Sequence, residues 1–396
     1  MRLAVYHPWV YLKGGAERTL LKLIRHSRHD WTVVTNHFDS PNTFPEFQEL
    51  DVIELSSISV QRSLDKVAHA ALTVLLQRPD FRKFDALMIS SEGIGNLIAL
   101  HRHLPPLFCF CHTPLKIFYD PRTRDKFFDQ RRAWSIQLGI RLFLLADRFA
   151  WRRYRRIFCN SEETRRRILK HRLAPPDKLE VLHPGVDPEK NNMSSKREPY
   201  FLLPGRIMWT KNIELAVEAF KLLKRNYPQT DAFRLVIAGM LDKKSRPYYQ
   251  ELKRQAEGRT DIQFVISPDD ETLNTLYRNA WAVFNTSLNE DWGLTILEGM
   301  AFGKPVLAVN EGGPSESVEH GGTGFLCSAE PRDFAQRMHR LASEPELALK
   351  LGRNARARAS RFPWRAFSNR IDDYAEELVR FSSANAKKRS FEHLSS

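Results

Sequence analysis

The chain has 396 residues, of which 42% are hydrophobic and 27% are charged, and its formal net charge is +14. This length fits two domains, and the composition is ordinary for a soluble globular protein. The longest apolar runs, such as residues 142–146, are far shorter than the roughly 20 residues of a membrane-spanning helix, which excludes that class. Residues 1–8 form a strand-like run that lacks the apolar core of a signal peptide.

In the first half of the chain, apolar strand-like runs alternate with helix-like stretches. The predicted elements are residues 3–7, 15–28, 32–35, 52–55, 68–77, 86–90, 107–112, a long basic helical region, 156–160, 161–171 and 179–183. The second half repeats this pattern at residues 200–203, 212–226, 233–238, 248–257, 262–266, 270–280, 281–285 and 305–309. Alternating strands and helices predict an α/β protein with doubly wound parallel sheets.

Residues 184–199 are rich in Pro, Asn and Ser and lack periodicity, which is typical of a linker. They separate an N-terminal domain at 1–183 from a C-terminal domain at 200–362. A final amphipathic helix at 363–382 is expected to pack back on the first domain. The polar tail at 383–396 is expected to be disordered.

The positive charge is concentrated in residues 121–172, which hold sixteen Lys or Arg against five Asp or Glu, a net charge of +11. Cations interleave with aromatic residues between Arg148 and Ile157. This pattern fits a solvated helix face or adsorption to an anionic membrane surface. Nucleic acid is disfavoured because no recognisable nucleic-acid module accompanies the charge.

The four cysteines lie in apolar contexts, so we expect free buried thiols in a reducing cytoplasm. They are Cys109, Cys111, Cys159 and Cys327. Cys109, Cys111 and the adjacent His112 lack a second ligand pair at zinc spacing. We therefore expect no metal site.

Two glutamates bracket the most informative segment, which runs from Glu290 to Pro305. The apolar spacing after Gly293 predicts a helix that begins at Gly293 or Leu294. The amides of Trp292, Gly293, Leu294 and Thr295 would then point out of the helix N-terminus, where they suit an anion such as a diphosphate. Glu290 would precede the helix and Glu298 would lie one turn inside it, both able to accept hydrogen bonds from sugar hydroxyls.

In this order, the motifs resemble the retaining glycosyltransferases of family 4, over nearly the whole chain. The segment from Glu290 to Pro305 is similar to the Glu-x7-Glu motif of that family. The further matches are Gly14-Gly15-Ala16-Glu17, His112-Thr113-Pro114, Asn160-Ser161, residues 183–187, Gly205-Arg206 with Lys211, and Gly239. Thr286-Ser287 and Trp292 depart from the residues often found there, Pro-Ser and Phe. The resemblance implies the GT-B fold, with two facing Rossmann-like domains and a cleft between them.

The resemblance also implies roles for the candidate residues. Gly14 and Gly15 would form a loop that closes over the donor, and Gly239 would lie near the donor as well. Arg206 and Lys211 would offset the charge of the diphosphate leaving group.

His112 would contact the hydroxyl groups of the donor sugar. Glu290 would stabilise the reacting sugar, and Glu298 would bind the ribose. Tyr119 and Asp120 follow in a loop that is predicted to reach the acceptor.

The implied reaction transfers a sugar from a nucleotide diphosphate with retention, without a metal or cofactor. Residues 112–120 resemble mannosyltransferases of bacterial polysaccharide and lipid-linked oligosaccharide assembly, so the expected donor is GDP-mannose. UDP-glucose, UDP-galactose or UDP-N-acetylglucosamine fits the same motifs, and a non-catalytic sugar-nucleotide-binding scaffold is a further alternative. The expected acceptor is a glycan or a polyprenyl-diphosphate-linked saccharide. The expected location is cytoplasmic, peripheral at the inner face of the membrane.

Overall fold

The computed structural model describes residues 1–61, 63–91, 93–123, 134–187 and 197–394. The chain forms two compact units, Met1–His183 with Trp364–Ser396, and Pro184–Pro363. Most of the predicted linker, residues 188–196, lies outside the described residues, as do residues 124–133 of the basic segment.

A seven-stranded, fully parallel sheet forms the centre of the first unit, in the order β3-β2-β1-β4-β5-β6-β7. Its strands are β1 Arg2–Tyr6, β2 Asp30–Thr35, β3 Asp51–Glu54, β4 Ala86–Ser91, β5 Leu107–Cys111, β6 Ile157–Cys159 and β7 Leu179–Val181. Every residue of β5 is buried, as expected for an apolar run that is covered on both faces. The helices are α1 Gly15–His26, α2 Leu64–Leu76, α3 Lys116–Tyr119, α4 Trp134–Arg153, α5 Glu162–Lys170 and, from the end of the chain, α13 Trp364–Leu394.

Helix α13 packs on the sheet of the first unit through aromatic side chains. Phe367 meets Phe110 edge-on with ring centroids 5.1 Å apart. Tyr374 meets both Phe108 and Phe158 at 5.4 Å. The last helix in sequence therefore covers one face of the first sheet.

Helix α13 also closes the end of α1. The Asp372 carboxylate accepts hydrogen bonds from the Ser27 hydroxyl at 2.6 Å and from the Arg28 amide at 2.9 Å. The tail that was predicted to be disordered from residue 383 is instead helical to Leu394. Residues 383–394 contain neither Gly nor Pro and carry Ala, Lys and Arg, which propagate a helix that has already begun.

A six-stranded, fully parallel sheet forms the second unit, in the order β10-β9-β8-β11-β12-β13. Its strands are β8 Tyr200–Pro204, β9 Arg234–Gly239, β10 Ile262–Ile266, β11 Ala282–Asn285, β12 Val306–Val309 and β13 Gly324–Cys327. Its helices are α6 Ile213–Asn226, α7 Arg246–Gln255, α8 Asp270–Asn279, α9 Leu294–Ala301, α10 Pro314–Ser317, α11 Pro331–Ser343 and α12 Pro345–Ala359. Helices α11 and α12 were not predicted, although each begins with the proline that favours a first helical position. The predicted fold class, two Rossmann-like doubly wound domains, is confirmed.

All four cysteines are free and buried, as predicted. Burial raises the pKa of the Cys109, Cys159 and Cys327 thiols, so these groups stay protonated and unreactive at neutral pH.

Lys304, between α9 and β12, is only 1% exposed. Burial first, and the neighbouring charge of Arg197 second, lower the pKa of Lys304 to about 7. A lysine in the unfolded chain titrates near pH 10.4. Between these values the unfolded state binds more protons, so the free energy of unfolding rises with pH by about 1.4 kcal/mol per unit.

Candidate active site

The candidate site of the second unit lies where its strand order reverses, at the carboxyl ends of β8 and β11. Ligands of open parallel sheets bind at this switch point. Arg206 and Lys211 follow β8, and the segment from Glu290 to Glu298 follows β11. The sheet topology therefore brings the predicted cations and the predicted carboxylates to neighbouring loops.

The loop after β8 brings the Lys211 side chain back to Gly205, the residue that follows β8. Gly205 has φ 133°, a conformation that disfavours side chains, and a Cβ built on it would lie 3.9 Å from Lys211 Cε. Asn212 ends the following turn in the left-handed conformation, with φ 47°. A Cβ on Gly239 would lie only 1.8 Å from the Gly205 carbonyl oxygen. Gly239, predicted to bind the donor, thus provides the room for this loop.

Lys211 and Glu290, both predicted catalytic residues, form an ion pair. Lys211 Nζ lies 2.6 Å from Glu290 Oε2, and the two side chains are 20% and 17% exposed. Two hydrogen bonds fix the loops that carry them, from Thr286 Oγ1 to the Lys211 carbonyl at 2.7 Å and from the Leu288 amide to the Thr210 carbonyl at 2.9 Å. The carboxylate is therefore held against the ammonium group before any ligand binds.

Arg206 precedes Lys211 on the loop after β8, and its side chain is half-buried. Its guanidinium makes no hydrogen bond or ion pair with any residue that the structure describes. The guanidinium carries five N–H donors, and in this half-buried position they suit the oxygens of a phosphate group.

Glu298 lies one turn inside α9 and receives a hydrogen bond from a buried tyrosine. The Tyr277 hydroxyl donates to Glu298 Oε2 at 2.8 Å, and the Tyr277 ring stacks on Phe302 with centroids 5.5 Å apart. The carboxylate is thereby oriented from α8. Sequence reasoning missed Tyr277, because nothing in the pattern of α8 distinguishes it from an ordinary core residue.

Helix α9 begins at Leu294, as predicted, directly after Gly293 in the left-handed conformation with φ 89°. The amides of Gly293, Leu294 and Thr295 open the helix and have no backbone acceptor within the described part of the chain. The Trp292 side chain is buried, and its indole N–H donates to the Pro184 carbonyl at 3.0 Å.

Two adjacent glycines, Gly312 and Gly313, pack against the main chain of Glu290. The Gly313 amide donates to the Glu290 carbonyl at 3.0 Å, and a Cβ on Gly312 would lie 2.3 Å from that same oxygen. The predicted site did not include these two residues. Their signal in the sequence, two adjacent glycines after a buried strand, is shared with many ordinary turns.

In the first unit, His112 ends β5 and joins a chain of buried polar groups. Its Nε2 lies 2.9 Å from Ser90 Oγ, which in turn lies 3.0 Å from His7 Nδ1. Asn160 Nδ2 donates to the His112 carbonyl at 2.8 Å. Ser90 thus positions the imidazole and is itself held by His7, while Asn160 holds the His112 main chain. Sequence reasoning had found only His112 and Asn160.

Gly14 and Gly15 open α1, as predicted. A Cβ on Gly14 would lie 2.4 Å from an oxygen of Glu17, whose buried carboxylate therefore fills the space beside Gly14. A carboxylate is favourable at a helix N-terminus. The donor contact that was assigned to this loop stays a prediction.

The structure places Tyr119, predicted to contact the acceptor, in a buried position of the first unit. Tyr119 is 7% exposed, and its hydroxyl donates to Asp147 at 2.7 Å, so the phenol belongs to the core. Burial first, and then the charge of Asp147, raise the pKa of Tyr119, which keeps it a donor. Asp120 is also buried and accepts from the Thr123 amide at 3.1 Å and the Thr123 hydroxyl at 2.6 Å. The acceptor role assigned to these two residues stays a prediction.

Within the described ranges, no helix combines the length and the apolar character that crossing a bilayer requires.

Two solved structures illustrate the fold that this chain shares. The Anabaena protein HepE, in complex with UDP and glucose, aligns with a TM-score of 0.73 at 19% identity, over 95% of this chain and 99% of that one. Sucrose-phosphate synthase from Thermosynechococcus elongatus aligns with a TM-score of 0.77 at 17% identity, over 96% and 99%. These likenesses show the GT-B fold.

Sequence comparison identifies the family. The alpha-1,3/1,6-mannosyltransferase ALG2 of Mus musculus is 28% identical over 406 residues, which cover 92% of this chain and 94% of that protein. Its counterpart in Neurospora crassa is 26% identical, over 94% and 90%. The family described as Glycosyltransferase Family 4 matches residues 13–190, and that described as Glycosyl transferases group 1 matches residues 187–358. The chain therefore belongs to glycosyltransferase family 4, as a GT-B enzyme that uses a nucleotide sugar.

Proposed function

We propose that the enzyme transfers mannose from GDP-mannose, with retention, to a glycan on a lipid carrier in cell-surface polysaccharide biosynthesis. The observation that carries this proposal is the similarity to two alpha-1,3/1,6-mannosyltransferases over 92% and 94% of the chain. A UDP-sugar is the second candidate donor, favoured by the like-folded HepE that binds UDP and glucose.

The diphosphate of the donor binds at Arg206, Lys211 and the first amides of α9. When the bond between the anomeric carbon and the phosphate oxygen breaks, its electron pair goes to that oxygen, and the two cations stabilise the new charge. The acceptor hydroxyl attacks from the same face and gives its proton to the leaving phosphate. No metal is needed for this step, because these groups supply the positive charge.

Glu290 orients the sugar and stabilises the positive charge that develops on its ring. Its pairing with Lys211 at 2.6 Å fixes the position of the carboxylate before the sugar arrives. Glu298, oriented by Tyr277, accepts hydrogen bonds from the ribose hydroxyls. Because retention here proceeds through the leaving phosphate, Glu290 stabilises charge and does not form a covalent intermediate.

The acceptor is presented at the inner face of an anionic membrane, where the enzyme is peripheral. The support for this part is the net charge of +11 in residues 121–172. An anionic leaflet attracts such a segment.

Turnover with a panel of GDP- and UDP-sugars and a lipid-diphosphate saccharide acceptor tests the proposal, with and without EDTA. We expect GDP-mannose to be preferred, the product to be the α-anomer by NMR, and EDTA to leave the rate unchanged. Glu290→Ala and Arg206→Ala are each expected to lose on the order of a hundredfold in rate. The matched controls are Glu251→Ala and Arg254→Ala, an exposed pair on α7.

Undiminished transfer by both site variants would overturn the site assignment. A β-anomeric product would overturn retention, and loss of rate in EDTA would overturn metal independence. Donor binding without transfer or hydrolysis would favour a non-catalytic scaffold.

A further inference from the structure

The outward face of helix α4 is apolar. Its exposed side chains recur at intervals of three and four residues, which places them on one stripe along the helix. These are Trp134 (77% exposed), Leu138 (47%), Leu142 (58%), Leu145 (53%) and Phe149 (49%). The surface of a monomeric protein rarely carries such a continuous apolar patch without a partner.

The opposite face of α4 is already buried, so the stripe cannot turn inward. Asp147, Trp151 and Tyr154 lie in the core. Asp147 accepts hydrogen bonds from Asn96 at 3.0 Å and from Trp151 at 3.1 Å, and Tyr154 donates to Asn96 at 2.8 Å. These polar contacts fix the rotation of the helix about its axis.

Arginines border the stripe on both sides. The exposed arginines of α4 are Arg141, Arg148, Arg152 and Arg153. Arg152 lies over the Phe149 ring at 5.3 Å. The one acidic residue of the helix, Asp147, is buried. A cationic border around an apolar stripe is complementary to an anionic lipid interface.

The same charge pattern disfavours a second copy of the chain as the occupant. Pairing two stripes about a two-fold axis would bring the arginines of both copies together along one seam. A bilayer offers anionic headgroups to the arginines and acyl chains to the apolar side chains.

We propose that α4 lies in the plane of an anionic membrane interface, with the stripe of Trp134, Leu138, Leu142, Leu145 and Phe149 among the acyl chains. The arginines then reach headgroup phosphates, as long cationic side chains do at interfaces. Helix α2 packs on the same segment, Ile94–Leu100, and adds exposed Leu72 and Leu76. This inference rests on the membrane-surface part of the proposed function and makes it more specific. Its test requires neither sugar donor nor acceptor.

The test is co-sedimentation of the full chain with phosphatidylcholine vesicles, with and without phosphatidylglycerol, in the absence of donor and acceptor. We expect binding that requires phosphatidylglycerol and weakens with salt, by about fivefold per basic residue screened. The triple variant Leu142→Gln/Leu145→Gln/Phe149→Gln keeps the charge and is expected to bind at least about tenfold more weakly. The control Ile266→Gln/Phe381→Gln removes two exposed apolar side chains elsewhere and is expected to bind like the wild type.

Insertion, as opposed to surface adsorption, is tested by tryptophan quenching with brominated acyl chains. Trp134 is expected to supply the quenched signal, and Trp134→Phe is expected to lose it. Unchanged binding of the triple variant, or the absence of quenching, would overturn the proposal. So would a wild-type dimer that the triple variant dissociates without any vesicle binding. Donor hydrolysis, measured in the same variants, reports on the proposed function separately.

Discussion

The ion pair between Lys211 and Glu290 gives the most specific prediction about the reaction. At a nitrogen-to-oxygen distance of 2.6 Å with both side chains about one-fifth exposed, neither charge is fully solvated. Opposite charges about 4 Å apart interact by about 4 kcal/mol at an effective dielectric constant of about 20, before desolvation is subtracted. The two groups should therefore act as one unit.

Substituting either partner breaks this ion pair. Lys211→Met takes a cation from the diphosphate and removes the ammonium group that pairs with Glu290, whereas Glu290→Gln removes the charge that stabilises the sugar. Each variant is expected to lose about a hundredfold in kcat/KM. The double variant is expected to lose about the same factor, not the product of the two, because groups that act together are not additive. The expected coupling is then about 2.7 kcal/mol, since each tenfold is about 1.36 kcal/mol.

Steady-state kinetics with the preferred sugar nucleotide measures this double-mutant cycle. The control cycle is Glu251→Gln with Arg254→Met, an exposed pair on α7 whose coupling should be below about 1 kcal/mol. Thermal melts establish that each variant is folded. If the double variant loses the product of the two single factors, about ten thousandfold, the two residues act independently and the reasoning is wrong.

Three further predictions follow from the contacts around the site and from one buried lysine. Tyr277→Phe, which removes the 2.8 Å hydrogen bond to Glu298, should weaken nucleotide binding by about fivefold in a calorimetric titration; an unchanged affinity would separate Glu298 orientation from binding. Ser90→Ala should lower kcat by about tenfold with little change in donor KM, because the His112 imidazole loses a fixed partner; full activity, or a loss that Ser90→Thr does not restore, would contradict this. Lys304→Met should raise the free energy of unfolding at pH 7, and its advantage in urea melts should shrink by about 1.4 kcal/mol per unit towards pH 10; an advantage independent of pH would mean that the lysine is not protonated more in the unfolded state.

The sequence predicts what depends on local patterning. The apolar run at Leu107–Cys111 has strand length and is covered on both faces, and the start of α9 at Leu294 follows from a glycine before a helical period. Parallel topology then places loop residues such as Lys211 and Glu290 at the same sheet edge.

Contacts between residues that are far apart in sequence could not be predicted from local patterning. Nothing near Glu298 in sequence marks Tyr277 as its hydrogen-bond donor. His7, directly after β1, and Ser90, on β4, are far from His112 along the chain. Tyr119 shows the same difficulty, because a tyrosine after a strand end fits either a ligand contact or a core position. The partner of its hydroxyl group, the buried Asp147, is 28 residues away.

The exposed apolar stripe of α4 could not be predicted from the sequence for a related reason. Both faces of this helix are apolar, so periodicity alone could not show which face packs on the unit. The signal available in the sequence was the positive charge of residues 121–172, which indicates an exposed surface but not which face of the helix forms it.

Helix α13 has a consequence for biosynthesis, because the ribosome makes it after the whole of the second unit. The second unit can finish folding while the first still lacks Phe367 and Tyr374, whose rings cover Phe108, Phe110 and Phe158. Until helix α13 has been synthesised, the nascent chain exposes an aromatic face of the first sheet, to which chaperones can bind and through which the chain can aggregate. A premature stop near residue 363 would therefore yield an intact second unit attached to a first unit that cannot close.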